Sequence, residues 1–122
     1  MTKKKIMVID DSASLRQSVC EALIDAGYEV VEAENGKQAL EKLGGGTVDL
    51  MICDVNMQTM DGITFVKEVK QLQEYRFVPI IMLTTESSEK VRQAGQMAGA
   101  KAWVVKPFRS EQVLTAVSKL IR

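Results

Sequence analysis

These 122 residues contain no histidine. No mechanism built on a histidine base or a histidine metal ligand can therefore operate from within the chain. Cysteine is nearly as scarce: the chain has two, Cys20 and Cys53. Both sit in apolar patterns and read as small buried hydrophobes of a reducing compartment, not as disulfide or redox partners. No spacing of metal-binding residues appears along the chain. Net charge is absent too, with 16 Lys and Arg against 16 Asp and Glu. This removes any global pull toward nucleic acid or a membrane surface. The basic run Lys3 to Lys5 reads as a solvated lead into a strand. No apolar run approaches the roughly 20 residues needed to cross a bilayer. The run Ile6 to Ile9 is too short for a signal peptide and is followed by two acids. A cytoplasmic chain with neither nucleic-acid nor membrane partner is expected. Gly44-Gly45-Gly46 has no strand before it and no Gly-Lys-Ser/Thr after it, so it reads as a flexible turn and not as a phosphate loop.

What is present is a regular alternation. Lys5 to Ile9 is a continuous apolar run, suited to a strand covered on both faces. A helical pattern follows, with Leu15, Val19, Ala22, Leu23 and Ala26 on one face and Gly27 as its stop. Tyr28 to Ala33 mixes apolar and charged residues, as an edge-side strand does. Asn35 caps a second helix with Ala39, Leu40 and Leu43 inward. The third strand is Leu50 to Cys53. Asp61-Gly62 opens a third helix with Phe65, Val66, Val69 and Leu72 inward. Ile80 to Leu83 is the fourth strand. Ser87 or Ser88 caps a fourth helix, with Val91, Ala94 and Ala98 inward, that Gly99 stops. Trp103 to Val105 is the fifth strand. A last helix turns Val113, Val117, Leu120 and Ile121 inward. Strand and helix alternate five times without a linker, the pattern of one domain, residues 1–122, with a parallel sheet between two helix layers. The expected architecture is a three-layer α/β sandwich with five strands in the flavodoxin-like order 2-1-3-4-5 and five helices.

In such a sheet every strand ends on the same rim. Asp10 and Asp11 after the first strand, Asp54 after the third, Thr84 after the fourth and Lys106 after the fifth therefore meet in one cleft. Taken singly, each is an ordinary turn or surface residue. Four matching strand ends make coincidence improbable. Clustered carboxylates repel and raise one another's pKa values. A hard divalent cation relieves that repulsion, and magnesium favours a few carboxylates together with waters and phosphate oxygens. A lysine and a hydroxyl opposite complete a phosphate-sized pocket.

The residues that carry this reading resemble a known family, the receiver domains of two-component response regulators, and within it the stand-alone chemotaxis type. The resemblance rests on Val8-Ile-Asp-Asp11, on Asp54-Val-Asn-Met57 with Met60-Asp-Gly62, on Leu83-Thr84, and on Ala98-Gly-Ala100 with Trp103-Val-Val-Lys-Pro-Phe108. It spans essentially the whole chain. It implies that Asp54 accepts a phosphoryl group from the phosphohistidine of a histidine kinase, which this histidine-free chain cannot itself provide. It implies magnesium held by Asp11, Asp54 and the Asn56 backbone carbonyl, with Asp10 acting through a coordinated water. Thr84 and Lys106 would contact phosphoryl oxygens. Thr84 and Trp103 would form the switch, and Asn56 and Glu86 would tune dephosphorylation. The family implies a phosphoacceptor and not an enzyme. It implies a monomer without an output domain of its own, acting on a downstream protein, with the flagellar motor switch of chemotaxis as the expected target. The alternative is a single-domain receiver in a non-chemotaxis phosphorelay.

Several positions depart from the family pattern. Gln58 replaces a customary proline, Arg109 stands where an N-cap is usual, leaving Ser110 to cap the last helix, and Trp103 exceeds the usual tyrosine or phenylalanine. A cis Lys106-Pro107 bond is expected from the resemblance. Two other functions fit the topology less well. An aspartyl phosphohydrolase would carry Asp-x-Asp on its first strand and a covering domain. A flavin carrier would need a hydroxyl- and glycine-rich loop where this chain has two aspartates.

Overall fold

A computed structural model describes residues 3–44, 46–57, 60–85 and 89–121. Along the chain run β1 (Lys5–Ile9), α1 (Ala13–Asp25), β2 (Glu29–Ala33), α2 (Gly36–Leu43), β3 (Leu50–Asp54), α3 (Gly62–Lys70), a 3-10 turn (Gln73–Tyr75), β4 (Ile80–Thr84), α4 (Glu89–Ala98), β5 (Ala102–Val105) and α5 (Ser110–Leu120). All strand pairs are parallel and the order is β2-β1-β3-β4-β5. The expected architecture and strand order are thus observed.

Strand composition follows position in the sheet. Every residue of β3 and β4 is buried, because helices cover both faces of the central strands. The edge strands β2 and β5 keep exposed positions, which explains the charged residues of β2. Side chains alternate between two cores. Leu50 and Ile52 join Val19 and Leu23 of α1 and Val113 and Val117 of α5. Met51 and Cys53 face Phe65, Val66 and Val69 of α3 with Ala39 and Leu43 of α2. That alternation is the two-residue period of a strand. The two helices α1 and α5 therefore form one layer and α2, α3 and α4 the other.

Local chemistry sets the helix ends. Ser12, Asn35 and Asp61 each accept an N–H at the start of α1, α2 and α3. Gly27 and Gly99 follow α1 and α4 with φ of +99° and +122°, a region open to glycine without a Cβ clash. At α5 Ser110 does not cap. Arg109 occupies the N-cap position, and its N–H is bound instead by the Gln112 side chain at 2.7 Å. Two inward assignments also differ. Ala26 is exposed because it is the C-cap of α1, past the last buried turn. Leu72 is 41% exposed because α3 ends at Lys70, so the residue has left the helix and its buried face. The positions Gln58, Glu86, Ser87 and Ser88 lie outside the described residues.

Candidate active site

Parallel strands deliver the functional side chains to one rim. Asp54 is the last residue of β3, one residue later than the apolar run alone suggests, and its N-terminal neighbours are wholly buried. Asp10 follows β1, held by its own N–H to Ala33 O and by the Arg16 guanidinium, whose Nη1 donates to Asp10 O at 2.6 Å. Thr84 closes β4 and is fully buried. Its carbonyl accepts the Lys106 N–H at 2.7 Å, so the ends of β4 and β5 are tied where the lysine leaves the sheet. The Lys106-Pro107 peptide is cis, as expected.

The side chains converge. Lys106 Nζ lies 3.2 Å from Asp54 Oδ1 and 3.6 Å from Asp10 Oδ2. Asp10, Asp11 and Asp54 can each offer an oxygen such that the three lie within 4.8 Å of one another. Asp10 and Asp54 are buried, at 1% and 4% exposure, while Asp11 is open to solvent. Asp10 Oδ1 accepts the Ser12 N–H at 2.9 Å, and Asp54 Oδ1 accepts the Asn56 N–H at 3.3 Å. Asp10 Oδ2 is buried with no hydrogen-bond donor among the described residues. Among the described residues a single ammonium therefore faces two buried carboxylates.

The electrostatic result is that Asp54 resists ionisation. Burial is the main cause and the Asp10 charge the second; Lys106 and the Asn56 N–H act in the opposite sense without cancelling them. An oxygen without a donor and a carboxylate held above its ordinary range are what a cation of charge two would correct. The donor set of carboxylates open on the Asp11 side suits a hard, oxygen-seeking ion. The acidic cluster can thus hold a metal.

Three supporting contacts were not legible in the residue pattern. Arg16 bridges Asp10 O and Glu32 Oε1, the latter at 3.0 Å, and so fixes the loop after β1. Gly62 opens α3 directly against the Asp54 backbone; a Cβ there would strike Asp54 O. Gly95 meets Trp103 in the same way. Each depends on how one element packs against another. The cysteines are inert: burial lifts the Cys20 thiol to about 11, and the fully buried Cys53 thiol well above its usual value. Trp103 is half-buried against α4, and its Nε1 is buried without a hydrogen-bond partner among the described residues. An unpaired buried N–H of this kind costs about 1–3 kcal/mol.

The family model for the response regulator receiver domain matches residues 6–118. The chain belongs to that family. Among curated proteins it is 40% identical to chemotaxis protein CheY of Bacillus subtilis, over 96% of this chain and 97% of that one. It is 39% identical to chemotaxis protein CheY1 of Helicobacter pylori, covering 90% of each. The phosphate regulon transcriptional regulatory protein PhoB of Escherichia coli is 31% identical, and there the receiver domain spans only 52% of the longer relative. Among solved structures, chemotaxis protein CheY4 of Vibrio cholerae superposes with a TM-score of 0.95 at 44% identity, covering 98% of this chain and all of that one. The protein is thus a receiver domain of two-component signalling with the flavodoxin-like fold. Among its described residues no helix is long and apolar enough to cross a membrane.

Proposed function

We propose that the whole chain, residues 1–122, is a single receiver domain in which Asp54 is the phosphoacceptor. The observation that carries this reading is the pairing of Asp54 Oδ1 with Lys106 Nζ at 3.2 Å beside an undersatisfied Asp10. An Asp54 oxygen attacks phosphorus in line. The bond from phosphorus to the kinase imidazole nitrogen breaks, its electron pair stays on that nitrogen, and the nitrogen takes up a proton. Lys106 follows the charge onto the transferred oxygens, and the Thr84 hydroxyl donates to another. Asp10, Asp11, Asp54 and the Asn56 carbonyl would hold magnesium, which supplies charge neutralisation during transfer. Asn56 stands beside the water that later hydrolyses the acyl phosphate, and the family likeness gives Glu86, which lies outside the described residues, the same tuning role. The domain is a phosphoacceptor that assists its own turnover and not an enzyme acting on a separate substrate.

The full-length likeness to chemotaxis proteins supports a role in chemotaxis. The phosphodonor is then a histidine kinase, and the target a downstream protein such as the flagellar motor switch, bound by a cytoplasmic monomer. Phosphorylation draws Thr84 toward the new oxygens and shifts Trp103, which lies on the same face of the sheet one strand over. The strand register sets Met82 beside Trp103 and Thr84 beside Val105, so the two switch residues are diagonal neighbours.

The test is intact mass after incubation with a small phosphodonor and magnesium. Wild type gains one phosphoryl group. Asp54→Asn gains none, and chelating the magnesium suppresses the gain in wild type. An unchanged yield on Asp54→Asn overturns the assignment.

A further inference from the structure

Trp103 and Gly95 share one volume. Gly95 is the single residue of α4 that is buried, and Trp103 packs on the core face that α4 covers. A Cβ on Gly95 would collide with indole Cζ3 and lie 3.3 Å from both Cε3 and Cη2. The benzene half of the indole thus rests directly on the backbone of α4. Glycine in mid-helix is disfavoured relative to alanine, and here the helix accepts that weakness where the ring needs room. Shape holds the ring in place while Nε1, without a partner among the described residues, opposes that position. Such a side chain, gripped by packing and strained by a missing hydrogen bond, is suited to two discrete positions. Trp103 also lines a groove of about 750 Å³ beside β5 and α5, together with Val105, Gln112, Thr115 and Leu120.

We propose that Gly95 is the positioning residue for Trp103: its bare Cα is the seat that keeps the indole against α4 and leaves the groove between β5 and α5 open. A side chain at 95 drives the ring out over that groove without touching the phosphorylation site. The inference deepens the switch reading of Trp103, but the seat itself is a separate claim.

Trp103 is the only tryptophan, so its emission reports this one side chain. In Gly95→Ala the emission moves to longer wavelength and iodide quenching strengthens, while phosphoryl incorporation persists. The conservative cycle supplies a second reading. Gly95→Ala lowers the urea midpoint in wild type and raises it in a Trp103→Val background, where only helix propensity remains. A Gly95→Ala chain that folds only together with Trp103→Val supports the seat equally. Unchanged emission and quenching, or a stability change of the same sign in both backgrounds, overturns it. Adding magnesium and beryllium fluoride separates the two readings. If wild-type emission ignores them while Gly95→Ala still shifts it, the switch role fails and the seat stands.

Discussion

The two rims of the sheet are built on opposite principles. At the amino ends of the strands the polar groups are closed on one another. The Tyr75 hydroxyl donates to Gly46 O at 2.7 Å and to Leu43 O at 3.3 Å, pinning the turn after α3 to the end of α2. The Lys70 ammonium donates to Tyr75 O and Arg76 O, at 3.4 and 3.0 Å. The Lys5 N–H donates to Asp49 Oδ2 at 2.8 Å. At the carboxyl ends, among the described residues, two buried carboxylates face one ammonium and a carboxylate oxygen has no hydrogen-bond donor. The comparison teaches where a fold of this kind keeps its stability and where it keeps its reactivity. The closed rim stabilises. The open rim is destabilised as it stands, and under the proposed function the arrival of a cation and a phosphoryl group would make binding energy available to move a switch.

Substitutions can break this contrast. The largest effect is expected from Gly62→Ala, where the new methyl meets the backbone of Asp54 and Val55 with no flexible side chain to yield. Forcing backbone apart at such a contact costs about 1–3 kcal/mol and misplaces Asp54, the proposed phosphoacceptor. Urea unfolding should show the loss, and phosphorylation by a small donor should slow with it. Tyr75→Phe comes next. It strips a donor from two carbonyls on the closed rim and should cost about 1–2 kcal/mol in urea unfolding. Phosphorylation should be unaffected, since the rims are separate; a slowed rate would show that they are coupled.

Asp54→Asn should act with the opposite sign. It removes a buried charge that repels Asp10, so the metal-free variant should melt a few degrees above wild type by calorimetry. Magnesium should stabilise wild type and barely affect the variant. The pH dependence gives the smallest and sharpest reading. The folded pKa of Asp54 is raised, so the folded chain binds that proton more tightly than the unfolded one. Its contribution to stability is present below the unfolded value of about 4 and is lost as pH rises toward the raised folded value. Urea midpoints of metal-free wild type should therefore fall relative to Asp54→Asn as pH climbs through that window. A constant difference would mean that Lys106 and the Asn56 N–H fully offset burial and the Asp10 charge at Asp54.

Much of this was legible in the residues because it depends on local pattern. The apolar runs of β1, β3 and β4, the cap at Asn35 and the Asp61-Gly62 start of the third helix fixed the alternation. Parallel pairing then obliged Asp10, Asp54, Thr84 and Lys106 onto one rim. Helix ends were less legible. Leu72 fits the spacing of α3, yet the chain has already turned into the 3-10 segment. Arg109 takes the N-cap position because Gln112 reaches back to its N–H, a contact that no preference for serine could reveal.

The order of residues determined the sheet, its two helix layers and the identity of the groups at the reactive rim, since periodicity and strand-end chemistry are properties of neighbours along the chain. Only the tertiary structure decided how those groups are balanced. The 3.2 Å approach of Lys106 to Asp54, the Asp10 oxygen without a donor among the described residues, the grip of Arg16 on the loop after β1 and the indole lying on Gly95 are each set by how one element packs on another. Burial, distance and the absence of a partner are set by packing in three dimensions, and they have no signature in one.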